Sequence, residues 1–366
     1  MPNSPLQAWD AADEYLLAQS GLNAATQHCI LLINDQFGAL AVALNEYSVH
    51  SWSDSFTSHC AARENLLRNA CDISHFTAIP ATELPVIEPA SSPFSLILWR
   101  IPKTLSLLMQ QAAALQTIAT SSTTIFAGGM LKHLPSQTRD LLCQLGTVDT
   151  LPAQKKARVF SLKIDRDRPP LELYKEPGKD RPLSIDEHRL QLHAGANVFA
   201  RDKFDIGARF FVEQFARLPS AQHIADLGCG NGVLGLMAKR KFPDARIEFF
   251  DESYQAIAAA EHNYAANGFD AMRPSAHFHV DDVFANYHGD AFDLILCNPP
   301  FHQGHVIGDH IAWQMFAQSR NQLRSGGELW IVGNRHLQYH LKLKKLFGNC
   351  RQIAANAKFV VLAASR

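Results

Sequence analysis

Short apolar runs alternate with longer helix-forming stretches through the second half of the chain. HIADLG (223–228), ARIEFFD (245–251), AHFHVDD (276–282), FDLILCN (292–298) and GELWIVGN (327–334) each read as a strand. Between them, AIAAAEHNYAAN (256–267) and IAWQMFAQSRNQL (311–323) are rich in good helix formers. This succession predicts a parallel, doubly wound α/β sheet. A basic helix, HLKLKKLF (340–347), then leads to a last apolar strand, KFVVLAAS (358–365).

The first half carries a similar series in the same order. CILLIND (29–35) stands where HIADLG does, VHSWSDSF (49–56) matches ARIEFFDESY, and ARENLLRNA (62–70) repeats the Asn-x-x-x-Asn spacing of AAEHNYAANG. FSLILWRIPK (94–103) closes the series opposite FDLILCNPPF (292–301). Shared order as well as shared composition indicates a domain-sized internal repeat of about 150 residues. DRDRPPLELYKEPGKDRPLSIDEH, dense in Pro and charge, lies between the halves and reads as a connecting segment. The expected organisation is therefore a first domain at 1–165, a linker at 166–190 and a second domain at 191–366.

Composition narrows the function classes. The 366 residues are 47% hydrophobic and 19% charged, which suits a chain that folds throughout. A net charge of −1 excludes coating of nucleic acid by bulk electrostatics and leaves room for a local basic face. Acidic residues stand early in MPNSPLQAWDAADEYLL where a secretory signal has basic ones, and no apolar run approaches the roughly 18 residues of a membrane span. A cytoplasmic protein without membrane contact is expected. The seven cysteines form no C-x-x-C pair, so neither a disulfide framework nor a zinc site is indicated. Histidines 302, 305 and 310 lack accompanying carboxylates or thiols, and no metal is expected there.

Candidate chemistry gathers at the strand ends of the second half. Asp226-Leu-Gly228-Cys-Gly230-Asn-Gly232 sits at a strand-to-helix turn, where alternate glycines let a ligand approach backbone without meeting a Cβ. Asp251 closes the next strand, where a carboxylate can take both hydroxyls of a ribose. Asp282 closes the third and can accept from an adenine amino group. Taken alone, Asp251 and Asp282 read equally well as helix N-caps; together with the Gly turn they outline a nucleoside site. The fourth strand delivers Asn298-Pro299-Pro300-Phe301. Two prolines stiffen this loop and remove two donors, so its acceptors face a ligand. An Asn oxygen and a Pro carbonyl can hold the two hydrogens of an exocyclic amine, while Phe301 offers a face for a planar base. Such an amine has its lone pair delocalised into the ring, and two acceptors on its hydrogens favour a pyramidal nitrogen aimed at an electrophile. Cys229 and Cys297, beside these positions, read as packing residues.

Asp226–Gly232, Asp251, Asp282 and Asn298–Phe301 together resemble class I S-adenosylmethionine-dependent methyltransferases, within the amino-methylating group marked by N-P-P-[FYW]. HAGANVFARDKFDIGARFF (193–211), NPPFHQ and the altered front half are similar to the bacterial ribosomal RNA guanine-N2 methyltransferases, and most of all to the large-subunit group. The likeness runs over nearly the whole chain. It implies two tandem Rossmann-like methyltransferase domains with mostly parallel sheets, the first degenerate. It also implies S-adenosylmethionine as cofactor, held by Asp226, Gly228, Gly230, Gly232 and Asp251 with adenine at Asp282, and 23S ribosomal RNA as partner, its guanine amine on Asn298 and Pro299. No obligate protein partner is implied. Other amines, on adenine, a small-subunit guanine or a protein glutamine, would present the same chemistry, although the glutamine group usually has Tyr at position 301. A cofactor-sensing RNA-binding module without turnover is the reading from another class.

In the front half the Gly turn has become Asn34-Asp35-Gln36-Phe37-Gly38, and Asn-Pro-Pro-Phe has become Arg100-Ile101-Pro102-Lys103. Cofactor cradle and amine acceptors are both lost, with Asp54 expected to remain at the second strand end. Arg100 and Lys103 are expected to grip RNA phosphates; the alternative is a front domain that only stabilises or shields the second. KKARVFSLK (155–163) and the basic helix at 340–347 offer further phosphate contacts, or simply solvated faces.

Overall fold

The structure, a computed structural model, describes residues 7–21, 29–85, 94–171, 183–185, 189–271, 275–300 and 307–366. It divides into two compact units, Met1–Gly178 and Lys179–Arg366. The first runs α1 (Ala11–Gln19), β1 (Cys29–Ile33), α2 (Ala39–Ala43), β2 (Ser48–Ser53), α3 (Phe56–Arg68), β3 (Phe76–Pro80), β4 (Leu96–Arg100), α4 (Leu105–Ile118), β5 (Thr124–Met130), α5 (Thr138–Leu145), β6 (Gly146–Thr150) and β7 (Ala157–Ile164). The second runs β8 (Leu183–Ile185), β9 (Leu190–Leu192), α6 (Ile206–Val212), β10 (His223–Leu227), α7 (Val233–Lys241), β11 (Arg246–Asp251), α8 (Tyr254–Ala266), β12 (His277–Val280) and β13 (Phe292–Cys297). It ends with α9 (Ile307–Gln322), β14 (Leu323–Asn334), α10 (Tyr339–Phe347), β15 (Arg351–Ala355) and β16 (Phe359–Ser365).

Both main sheets have seven strands in one order, β3-β2-β1-β4-β5-β7-β6 and β12-β11-β10-β13-β14-β16-β15. In each, five parallel strands are followed by an antiparallel pair at one edge. The central strands are continuous apolar runs because helices cover both faces. Ile30 to Ile33 and Leu294 to Cys297 are wholly buried. Two apolar clusters line the faces of the second sheet, with Trp330 and Phe249 in one and Phe250, Phe292 and Phe316 in the other.

Register makes the repeat explicit. Ile33 pairs with Trp52 and Trp99, as Leu227 pairs with Phe250 and Cys297. Asn34 and Gly228 then follow equivalent strands, both at positive φ (61° and 69°), and both donate from their backbone N–H to the carbonyl of the paired residue, Trp52 or Phe250. Ser53, and not Asp54, occupies the register of Asp251, which corrects the expectation that an acid survives there. Arg100 occupies the register of Asn298.

The stretch expected as a linker is partly structured. β8 and β9 pair antiparallel, and Ile185, Leu190 and Leu192 enter the core of the second unit. Three-residue strands carry too little alternation to be visible in a Pro- and charge-rich sequence. Among the described residues no helix is long and apolar enough to cross a membrane.

Candidate active site

The carboxyl ends of β12, β11, β10 and β13 lie side by side along the sheet edge. Ligands of open α/β sheets bind at such an edge, where the chain reverses its direction of winding, here between β10 and β13. Asp282, Asp251, the Gly turn and Asn298 follow these four strands in that order.

The turn after β10 depends on its glycines. Gly228, Gly230 and Gly232 all have positive φ, at 69°, 55° and 83°. A Cβ on Gly232 would stand 3.0 Å from the Ala260 side chain and 3.2 Å from its backbone, so the start of α7 and the middle of α8 approach closely through it. At Gly230 a Cβ would meet no heavy atom within 4 Å, leaving an open cradle that a side chain would fill. Asp251 braces the turn from the next strand. Its Oδ2 accepts from the Gly230 N–H at 2.9 Å, and its Oδ1 accepts from the Ser253 N–H at 3.0 Å.

Asp226 is fully buried. Its Oδ2 accepts from the Gly235 N–H at 2.7 Å, and its Oδ1 has no partner. Burial, with Asp251 as a lesser contributor, pushes its pKa up to about 8. A buried orphan carboxylate oxygen costs about 1–3 kcal/mol or more. A ligand ammonium would relieve it, and with the open backbone at Gly230 this fits the amino-acid end of S-adenosylmethionine. After β12, the buried Asp281 takes the Asn286 backbone and side-chain N–H groups and closes the local turn. Asp282 is half-buried, with Oδ1 accepting from Gln314 Nε2 of α9 at 3.0 Å.

Asn298 leaves β13 beside Gly228. Its Oδ1 is buried without a partner, while its Nδ2 donates to Asp205 Oδ2 at 3.4 Å. Pro299 is buried and Pro300 half-buried; Phe301 lies outside the described residues, as do His302 and His305. Burial raises the thiol pKa of Cys229 and Cys297 well above the usual range, in keeping with packing roles. Sequence reasoning missed Asp205 and Gln314, whose contacts with the strand ends span 93 and 32 residues.

The front unit has no matching cradle. Leu32 replaces Asp226, and the Asn34 side chain fills the turn by donating to the Arg100 carbonyl at 2.8 Å and to Gln111 Oε1 at 3.0 Å. Gln111 in turn accepts from the Trp99 indole. Arg100 does not present a free charge: it makes a two-bond pair with Asp10 at 2.8 and 2.9 Å and meets Asp13 at 3.3 Å. Its charge is thus engaged by two acids of α1 and its cap. Lys103 is exposed.

Residues 1–166 match the family model "RLMG N-terminal domain" and residues 189–363 match "Methyltransferase small domain". The chain is 45% identical to the ribosomal RNA large subunit methyltransferase G of Stutzerimonas stutzeri over 99% of this chain and 94% of that protein. It is 43% identical to the protein of that name from Erwinia tasmaniensis, over 98% and 92%. A solved T. Thermophilus 16S rRNA N2 methyltransferase in complex with AdoMet and guanosine shares the fold, with a TM-score of 0.78, 19% identity and coverage of 98% and 92%. Identity at this level over nearly the full length of both chains means that the chain belongs to the ribosomal RNA large subunit methyltransferase G family.

Proposed function

We propose that this methyltransferase transfers a methyl group from S-adenosylmethionine to the exocyclic N2 amine of a guanine in large-subunit ribosomal RNA. The observation that carries the reading is the buried, unpartnered Oδ1 of Asn298 at the end of β13, next to the Gly turn. An acceptor kept without a donor in the free protein suits a substrate that brings one. The cofactor, when bound, supplies a methyl carbon made electrophilic by its sulfonium. Asp226, the Gly228–Gly232 turn and Asp251 would hold its methionine and ribose parts, with Asp282 toward adenine. Asn298 Oδ1 and the Pro299 carbonyl would accept the two amine hydrogens and turn the nitrogen lone pair toward the methyl. Positioning and exclusion of water supply most of the rate, and the proton leaves after attack. A paired guanine must first be extruded, at about a few kcal/mol. Phe301 would offset part of that through stacking worth about 1–3 kcal/mol.

In this reading the front unit grips RNA, Lys103 contributes to that surface, and the protein works in the cytoplasm beside its ribosomal substrate. The test is transfer of labelled methyl from S-adenosylmethionine to protein-free large- and small-subunit RNA, followed by nucleoside analysis. N2-methylguanine on the large-subunit RNA is expected. Label on another nucleoside, or on no RNA in free or assembled form, would refute the reading.

A further inference from the structure

Asp205 is the N-cap of α6, its Oδ2 accepting from the Ala208 N–H at 2.8 Å, and the same oxygen faces Asn298 Nδ2 at 3.4 Å. This contact decides which way the Asn298 amide points. Turned over, the amide would set its oxygen against a carboxylate oxygen, two acceptors with no proton between them. The carboxylate therefore keeps the nitrogen on its own side and leaves Oδ1 on the other, where it has no partner. At 3.4 Å the bond is long, as hydrogen bonds in ligand-free sites often are before substrate tightens them.

The front unit supplies an internal comparison. Asp10 caps α1 as Asp205 caps α6, and each helix packs against the fifth parallel strand and its antiparallel neighbour. Asp10 meets Arg100, which holds the register of Asn298. The same device, a cap carboxylate touching the residue at the carboxyl end of the fourth strand in sheet order, is thus built twice. In the front unit the contact is complete as a salt bridge. In the second unit it ends on an amide whose far atom is left unpartnered.

We infer that Asp205 is a positioning residue, whose carboxylate holds the Asn298 amide so that Oδ1 is presented to the nucleobase amine. This rests on the proposed reaction. Asp205 neither accepts the proton nor touches the methyl, and its effect travels through Asn298 alone.

The competing role is that of a helix cap and no more. Asp205→Ser retains a good cap with a hydroxyl too short to hold Asn298. That variant is expected to keep its melting temperature and its S-adenosylmethionine Kd, with kcat lower by about 10–100-fold and KM for RNA near that of wild type. The conservative variant supplies the second readout. In Asp205→Asn the amide oxygen can stand where Oδ2 stands and accept from both the Ala208 N–H and Asn298 Nδ2. That variant is expected to turn over at least about fivefold faster than Asp205→Ser. An active wild type with full kcat in Asp205→Ser, or an Asp205→Asn variant no faster than Asp205→Ser, overturns the inference. A wild type that forms no N2-methylguanine overturns the reaction and this inference together.

Discussion

Replacing Asp226 by Asn tests the cofactor site through stability and binding at once. The carboxyl has an ordinary value of 3.8 and is raised to about 8 in the folded protein by burial. A group raised on folding contributes stability that is fully present below 3.8 and lost as pH rises toward 8. At about 1.36 kcal/mol per pH unit, the folded state at pH 7.5 is disfavoured by about 5 kcal/mol relative to acid, and at pH 5.5 by about 2. Asn titrates nowhere in this range. Its oxygen can still accept from the Gly235 N–H, and its NH2 group inherits the place of the unpartnered Oδ1 at a comparable cost. The ligand-free Asn variant should therefore be more stable than wild type by up to about 5 kcal/mol at pH 7.5 and up to about 2 kcal/mol at pH 5.5, with a melting shift of several degrees at the higher pH. Cofactor affinity should move the other way, weakening by about 10–100-fold as a charge-assisted bond to the ammonium becomes a neutral contact. Scanning fluorimetry at both pH values and calorimetric titration with S-adenosylmethionine read the two effects. A variant less stable than wild type at pH 7.5, or one with unchanged affinity, would refute the account of Asp226.

Asn298→Ala should lower methyl transfer by about 10²–10³-fold while leaving the S-adenosylmethionine Kd within about twofold, measured by single-turnover kinetics and calorimetry. Gly230→Ala places a Cβ in open space at φ 55°, so its melting temperature should fall only slightly, at about 1–2 kcal/mol of left-handed strain, while cofactor affinity drops because the cradle is filled. Arg100→Glu should destabilise the protein by about 3 kcal/mol or more in chemical denaturation, since it faces Asp10 and Asp13 with a third carboxylate. Lys103→Glu should leave stability unchanged and weaken RNA binding with a reduced salt dependence, read by filter binding at several salt concentrations.

The strands and the Gly turn were legible because their signals are local. CILLI, HIADL and FDLILC declare themselves by apolar content alone, and alternate glycines before a helix have few other uses. Other features depended on the third dimension. Nothing in SWSDSF tells whether Ser53 or Asp54 ends in line with Asp251; the pleat and the pairing with β3 decide it. Arg100 looked like a free cation because its acids lie 90 residues earlier and in sequence serve only as the first turn of a helix. Asp205 was invisible for the same reason, sitting within FDIGARF as an ordinary cap. The β8–β9 hairpin is tied to the end of α8 by its C-cap Asn267, whose side chain bonds both the N–H and the carbonyl of Gln191.

Comparing the two units shows what catalysis demands beyond a stable fold. Strand order, register and the caps of α1 and α6 agree closely, so the requirements of packing alone do not separate them. They part at acceptors. The second unit keeps Asp226 Oδ1 and Asn298 Oδ1 buried and unpartnered, each a standing loss of about 1–3 kcal/mol. At the same registers the front unit has Leu32, which needs no partner, and Arg100, which has two acids. Its Asn34 amide is satisfied by Arg100 and Gln111 where the active unit leaves an open turn. Among the described residues, the buried partnerless atoms of the front unit, Ser51 Oγ and Arg158 Nε, lie at neither of these registers. A chain released from holding a ligand relaxes toward satisfied contacts. In the proposed reading, the orphan acceptors Asp226 Oδ1 and Asn298 Oδ1 on neighbouring strands are positions where ligands complete the structure.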